Sequence, residues 1–117
     1  MGEGEIDLKE RTKKFALRII RMFVRLPKSD VARVLGKQVL RSGTSVGANY
    51  READEGRSKA EFIAKMGDSL RELSETEYWL ELLIESETIK SSSMASLLDE
   101  TRQLKLIFTT IIRKSKE

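Results

Sequence analysis

Apolar residues recur at alternating steps of three and four in four successive blocks of this chain, and that periodicity commits it to helices packed side by side. In the first block Leu8, Thr12, Phe15, Ile19, Met22 and Leu26 mark one helix face, with Asp7 placed to cap its start and Pro27 to end it. Ser29 or Asp30 opens the second block, in which Val31, Leu35, Gln38, Ser42, Ser45, Asn49 and Ala53 keep a similar period up to Gly56. This second seam is unusually small and polar. Ser58, with Glu61 three residues on, has the pattern of a capping box, and Ile63, Met66, Leu70, Leu73, Glu77, Leu80 and Ile84 follow it. A polar loop is expected from Lys90 to Ser93, then a last helix marked by Leu97, Thr101, Leu104, Phe108 and Ile111, with Lys114 to Glu117 fraying. Helices of roughly 18 to 28 residues would be about 27 to 42 Å long, a good match for one another. Their short connections force neighbours to run antiparallel. The expected fold is all-α: an antiparallel up-down-up-down four-helix bundle, one domain over residues 1–117.

The 117 residues suffice to bury a continuous core without disulfides or metals. A single proline and few aromatic residues argue against a β-sandwich, in which turn signals recur at short intervals. Cysteine and histidine are both absent. Their absence removes thiolate zinc sites, triads that need an imidazole base and histidine pH switches. No catalytic residue, no metal and no cofactor is therefore expected. The acidic stretch from Met1 to Glu10 lacks the apolar centre of a signal peptide, and no run approaches the roughly 18 apolar residues of a membrane span. A cytoplasmic protein with no membrane partner is the expectation.

The net charge of +3 hides a strong segregation. From Lys9 to Arg41 eleven basic residues stand against two acids, whereas from Lys59 to Glu87 three stand against eight. Arg11, Lys14, Arg18, Arg21 and Arg25 follow steps of three and four and form one stripe beside the apolar face of the first helix. Arg102, Lys105, Arg113 and Lys116 lie in an acid-free stretch of the last helix. Such stripes can follow the phosphates of RNA or DNA. Two plainer uses compete: solvated helix faces, and charge pairing of the basic first helix with the acidic third, within the fold or between subunits. No zinc finger, helix-turn-helix or aromatic sheet motif accompanies the charge.

Small residues cluster from Leu40 to Ala53 in what the period marks as a helix. Each helical glycine costs roughly 1 kcal/mol relative to alanine, so packing must offset Gly43 and Gly47. Four residues apart, these two share a face on which another backbone can come close, inside the bundle or across a subunit interface. A phosphate-binding loop is the sharper alternative, but no strand precedes the segment and it lacks the lysine-serine ending. Glu72, Glu75 and Trp79 share a face of the third helix, with Asn49 and Glu52 available from the second. A di-iron site would need Glu-x-x-His pairs, so pairing of these carboxylates with Arg41, Arg51 or nearby hydroxyls is the simpler account.

The run Arg41-Ser42-Gly43-Thr44-Ser45-Val46-Gly47-Ala48-Asn49-Tyr50-Arg51-Glu52-Ala53, followed by Glu61-Phe62, Glu72, Glu75-Thr76 and Trp79-Leu80, closely resembles the bacterial four-helix bundle protein family. Its members were first noticed as products of intervening sequences in 23S ribosomal RNA genes. The resemblance covers the chain from the first helix to Ile112 and implies an up-down-up-down bundle that assembles as a pentamer. It also implies a remote kinship with the accessory variability determinant of diversity-generating retroelements, a similar bundle that binds nucleic acid and a reverse transcriptase. The leading expectation is a non-enzymatic homo-oligomer that offers the α-helical stripe Arg11, Lys14, Arg18, Arg21 and Arg25 to RNA or DNA. In it Arg41, Ser42, Gly43, Ser45, Gly47, Asn49, Glu52, Glu72, Glu75 and Trp79 form a packing or interface motif. The rival is a structural or protein-interaction module that has no nucleic-acid role.

Overall fold

The computed structural model describes residues 7–117 and contains four helices: α1 (Leu8–Arg25), α2 (Asp30–Asp54), α3 (Lys59–Glu85) and α4 (Ser91–Ser115). Side chains cap the first three where the sequence places them. Asp7 accepts from the Glu10 N–H at 3.1 Å, Ser29 from Ala32 at 3.2 Å and Ser58 from Glu61 at 3.1 Å. Glu61 reaches back to accept the backbone N–H of Arg57 at 2.7 Å, one residue before the usual capping-box partner. α4 starts without such help, since its cap residue Lys90 offers no side-chain acceptor. The polar loop expected from Lys90 to Ser93 is instead the start of α4, because Ser91 to Ser93 are already helical. Its true position is 86–90, where Glu87 takes a φ of 60° and turns the chain out of α3. The last helix also runs on to Ser115 rather than fraying from Lys114.

Sequential helices pack on one another, α1 on α2, α2 on α3 and α3 on α4, while α1 and α4 make the sparsest contact of the four neighbouring pairs. The result is an up-and-down bundle, 45 × 27 × 20 Å, with a thinly closed seam between its first and last helices. Phe15, Ile19, Val39, Val46, Met66, Leu73, Leu80, Leu104 and Phe108 fill the centre, and Tyr50 meets Phe108 edge-on at 5.9 Å. Burying each large apolar side chain contributes about 1.5–3 kcal/mol, the main source of helix–helix adhesion.

The α1 face lies where the sequence places it, with Leu8, Thr12, Phe15, Ile19 and Met22 buried. On α2 the expected seam is rotated. Ala32, Gly36, Val39, Gly43, Val46 and Gly47 point inward with Ser42 and Ala53, whereas Val31 is half exposed and Leu35, Gln38, Ser45 and Asn49 lie at the margins. On α3 Ser69, Thr76 and Leu83 join Met66, Leu73 and Leu80 inside, and Ile63, Leu70, Glu77 and Ile84 are only partly covered. No helix among the described residues is long and apolar enough to cross a membrane.

Candidate nucleic-acid interface

Pairing separates the basic residues into two groups. Arg11, first of the stripe, holds Glu100 of α4 in a two-pronged contact at 2.7 and 2.8 Å and also donates to Gln103. That carboxylate keeps the Arg11 guanidinium above its usual pKa. Lys9 pairs with Asp54 of α2 at 2.9 Å. On α4, Arg102 and Lys105 clamp Glu77 at 2.7 and 2.6 Å, and Arg102 also reaches Glu81. The Glu77 carboxyl is held below the usual carboxylate range by the hydrogen bonds from Lys105 and then Arg102, against the opposing effect of burial. The acidic third helix is thus paired with basic residues of α4. Within the fold it does not pair with α1, the first of the two arrangements the charge pattern suggested, because α1 and α3 lie diagonally across the bundle.

Lys14, Arg18, Arg21 and Arg25 form the second group. Among the described residues none of them has a carboxylate as an ion-pair partner, and Arg18 donates only to the Ser96 hydroxyl at 2.9 Å. They line the flank of α1 that faces the seam with α4. At one end of this seam, where α1 runs out and α4 begins, a cleft of about 550 Å³ opens. Arg18, Arg21, Arg25 and Lys90 stand around it, over Met22, Leu26, Ile89 and Leu97. The sequence reading missed Lys90 and this cleft. The signal was a lysine directly before a serine run that begins a helix.

The core period of α1 masks a second apolar pattern on the same helix. Leu17, Ile20 and Val24, at steps of three and four, form a second apolar stripe on α1, exposed by 38%, 41% and 76%. Its residues are turned away from the core face that holds Phe15 and Ile19.

The small-residue motif is an internal device. A Cβ on Gly43 would stand 2.7 Å from the Ile19 side chain, and one on Gly47 would stand 3.0 Å from Thr12 Oγ1, so both glycines admit α1 against α2. Beside them Ser42 and Thr76 share a buried hydroxyl–hydroxyl hydrogen bond of 2.7 Å, and Ser69 donates to the Val46 carbonyl at 2.8 Å. These bonds satisfy polar groups that would otherwise be costly to bury between α2 and α3. Arg41 brackets Glu72 at 3.2 Å and Glu75 at 2.7 Å. Glu52 leaves this group and lies 3.5 Å from Lys65. Ser45 donates to the Arg41 carbonyl on its own helix, and Asn49 sits half-buried beside it. Trp79 buries its indole N–H with no acceptor among the described residues, edge-on to Tyr78. No three carboxylates among those residues converge in a metal-binding arrangement.

The same architecture is found in a solved structure from Bacteroides thetaiotaomicron VPI-5482, a protein of unknown function from the S23 ribosomal protein family. It is 40% identical, superimposes with a TM-score of 0.84, and the likeness covers 91% of this chain and 95% of that one. No match was found among curated proteins. Residues 4–110, which include the unpaired flank of α1, the glycine face of α2 and the Arg41 clamp, match the description "23S rRNA-intervening sequence protein", and this chain belongs to that family.

Proposed function

We propose that the chain is a non-enzymatic, homo-oligomeric, cytoplasmic helical bundle that binds RNA or another nucleic acid through the basic flank of α1. One observation carries this reading: Lys14, Arg18, Arg21 and Arg25 have no carboxylate partner among the described residues, while Arg11, Arg102 and Lys105 are neutralised within the fold. Cations left together on one flank attract phosphates without reading bases, so affinity falls steeply with salt and sequence preference is weak. Changing Arg18 and Arg21 together to glutamate is expected to abolish binding of a 5′-hydroxyl RNA at physiological salt. Affinity equal to the parent's would overturn the reading.

The outward stripe Leu17, Ile20 and Val24 supports assembly, since contiguous exposed apolar surface marks contact sites. Five subunits is the number that the family resemblance implies. The same stripe favours the second reading, a protein-interaction module whose α1 charges steer a partner protein. In that case the Arg18 and Arg21 changes alter assembly or partner capture, and RNA stays unbound by the parent protein.

A further inference from the structure

The cleft at the end of the α1–α4 seam combines two features that a surface for generic phosphate contacts does not need. The first is a concentration of cations. Arg18, Arg21, Arg25 and Lys90 all border one cavity of about 550 Å³, and no acidic residue lines it. The three arginines, at positions i, i+3 and i+7 of α1, extend about 10 Å along the helix. A chain of phosphates matches this spread with each guanidinium close to its own position along the helix, whereas a single phosphate or carboxylate would draw all three long side chains to one point. The second feature is the apolar wall of Met22, Leu26, Ile89 and Leu97, which offers a flat or hydrocarbon body a place out of water. Inorganic polyphosphate would leave this wall unused, and a fatty acid would leave most of the guanidinium groups without a counter-charge. Arg18 is already oriented by its hydrogen bond to Ser96, and Ser93 adds a hydroxyl at the rim.

We infer that this cleft is a binding site for a nucleoside 5′-triphosphate group, with the phosphate chain on Arg18, Arg21, Arg25 and Lys90 and the nucleoside against Met22, Ile89 and Leu97. The group occurs in free nucleotides and at the 5′ end of an unprocessed transcript. Its ligand sets this inference apart from the nucleic-acid reading of α1, although both use Arg18, Arg21 and Arg25. Arginine suits the task because its planar fork matches two phosphate oxygens at once. Met22, Ile89 and Leu97 carry no side-chain N–H or O–H to read a base edge, so adenine and guanine nucleotides are expected to bind alike.

Titration calorimetry at physiological salt tests the inference with ATP, GTP, adenosine and inorganic triphosphate on the intact protein. ATP and GTP are expected to bind about tenfold or more tightly than either adenosine or inorganic triphosphate. Ser93→Trp, which fills the rim without altering charge, and Lys90→Glu are each expected to lower ATP affinity by about tenfold. Unchanged circular dichroism guards against misfolding, and Ser93→Trp should still bind 5′-hydroxyl RNA as the parent does. A 5′-triphosphate RNA that outcompetes its 5′-hydroxyl counterpart while ATP fails to bind would support the triphosphate site and assign it to transcript ends. No preference for the triphosphate in either form, or ATP affinity unaffected by both variants, would overturn the inference. RNA binding lost in the Arg18 and Arg21 variant, with no triphosphate preference, would leave the α1 reading standing alone. ATP binding with no RNA binding would do the reverse.

Discussion

At the scale of single residues, the glycines divide by what lies opposite them. Gly43 faces Ile19 at a distance no ordinary Cβ tolerates, whereas Gly67 on α3 has nothing within 4 Å. Gly43→Ala is therefore expected to destabilise by about 1–3 kcal/mol through overpacking, a loss that is smaller in an Ile19→Ala background, where the Cγ atoms that the new Cβ strikes are gone. Gly67→Ala should stabilise by up to about 1 kcal/mol, since only helix propensity changes there. Urea unfolding of these variants checks both signs, and a destabilised Gly67→Ala would show a contact on α3 outside the bundle. Glu77 sets the acid response. Its carboxyl is held below its unfolded value by Lys105 and Arg102, so the stabilisation is present above the ordinary carboxylate range and disappears as pH falls through the lower, folded value. Glu77→Gln is expected to cost about 1 kcal/mol at neutral pH, with partly exposed partners limiting the gain, and to flatten the acid limb of a stability–pH curve. An unchanged acid limb would place the titrating group elsewhere.

Among the elements, α1 carries the most surface chemistry: a core face, a basic flank and an outward apolar stripe. If α1 carries the proposed subunit contact, changing Leu17 and Val24 together to lysine is expected to reduce the solution mass toward a single subunit while leaving helicity intact. Light scattering and circular dichroism check this, and an unaltered oligomer would remove the stripe from the interface. The α1 core face was legible in the sequence because Phe15, Ile19 and Met22 contrast sharply with the charges around them. On α2 the contrast fails. Its inward residues are Ala32, Gly36, Val39, Gly43 and Val46, whose small side chains leave Val31 and Leu35 looking equally apolar, and the seam was displaced. The start of α4 was illegible for a related reason, since Ser91 to Ser93 are polar and Lys90 offers no cap. As for the candidate site, the sequence displays the charges of α1 and α4 but not their partners. Which cations are neutralised depends on α4 lying beside α3 and on Glu100 facing α1, and no spacing within one helix specifies either.

For the whole molecule the decisive feature is the seam. The backbone of α1 packs closely on α2 but stands farther from α4, to which it is joined at the surface by Arg11 to Glu100 and Arg18 to Ser96. Glu100→Gln should therefore loosen one helix rather than the entire bundle. Native-state hydrogen exchange is expected to speed up along α1 while α3 keeps its protection, and a uniform rise over all four helices would mean the bundle opens only as a unit. The weak first-to-last closure also bears on how the chain reaches this structure. Every extensive contact joins helices adjacent in the chain, so each hairpin can form over a short loop before the next is added. Topologies of such low contact order fold in microseconds to milliseconds. The bundle should therefore assemble faster than ribosomes extend it, with its last step a side-chain handshake between α1 and α4 rather than a search for a distant strand.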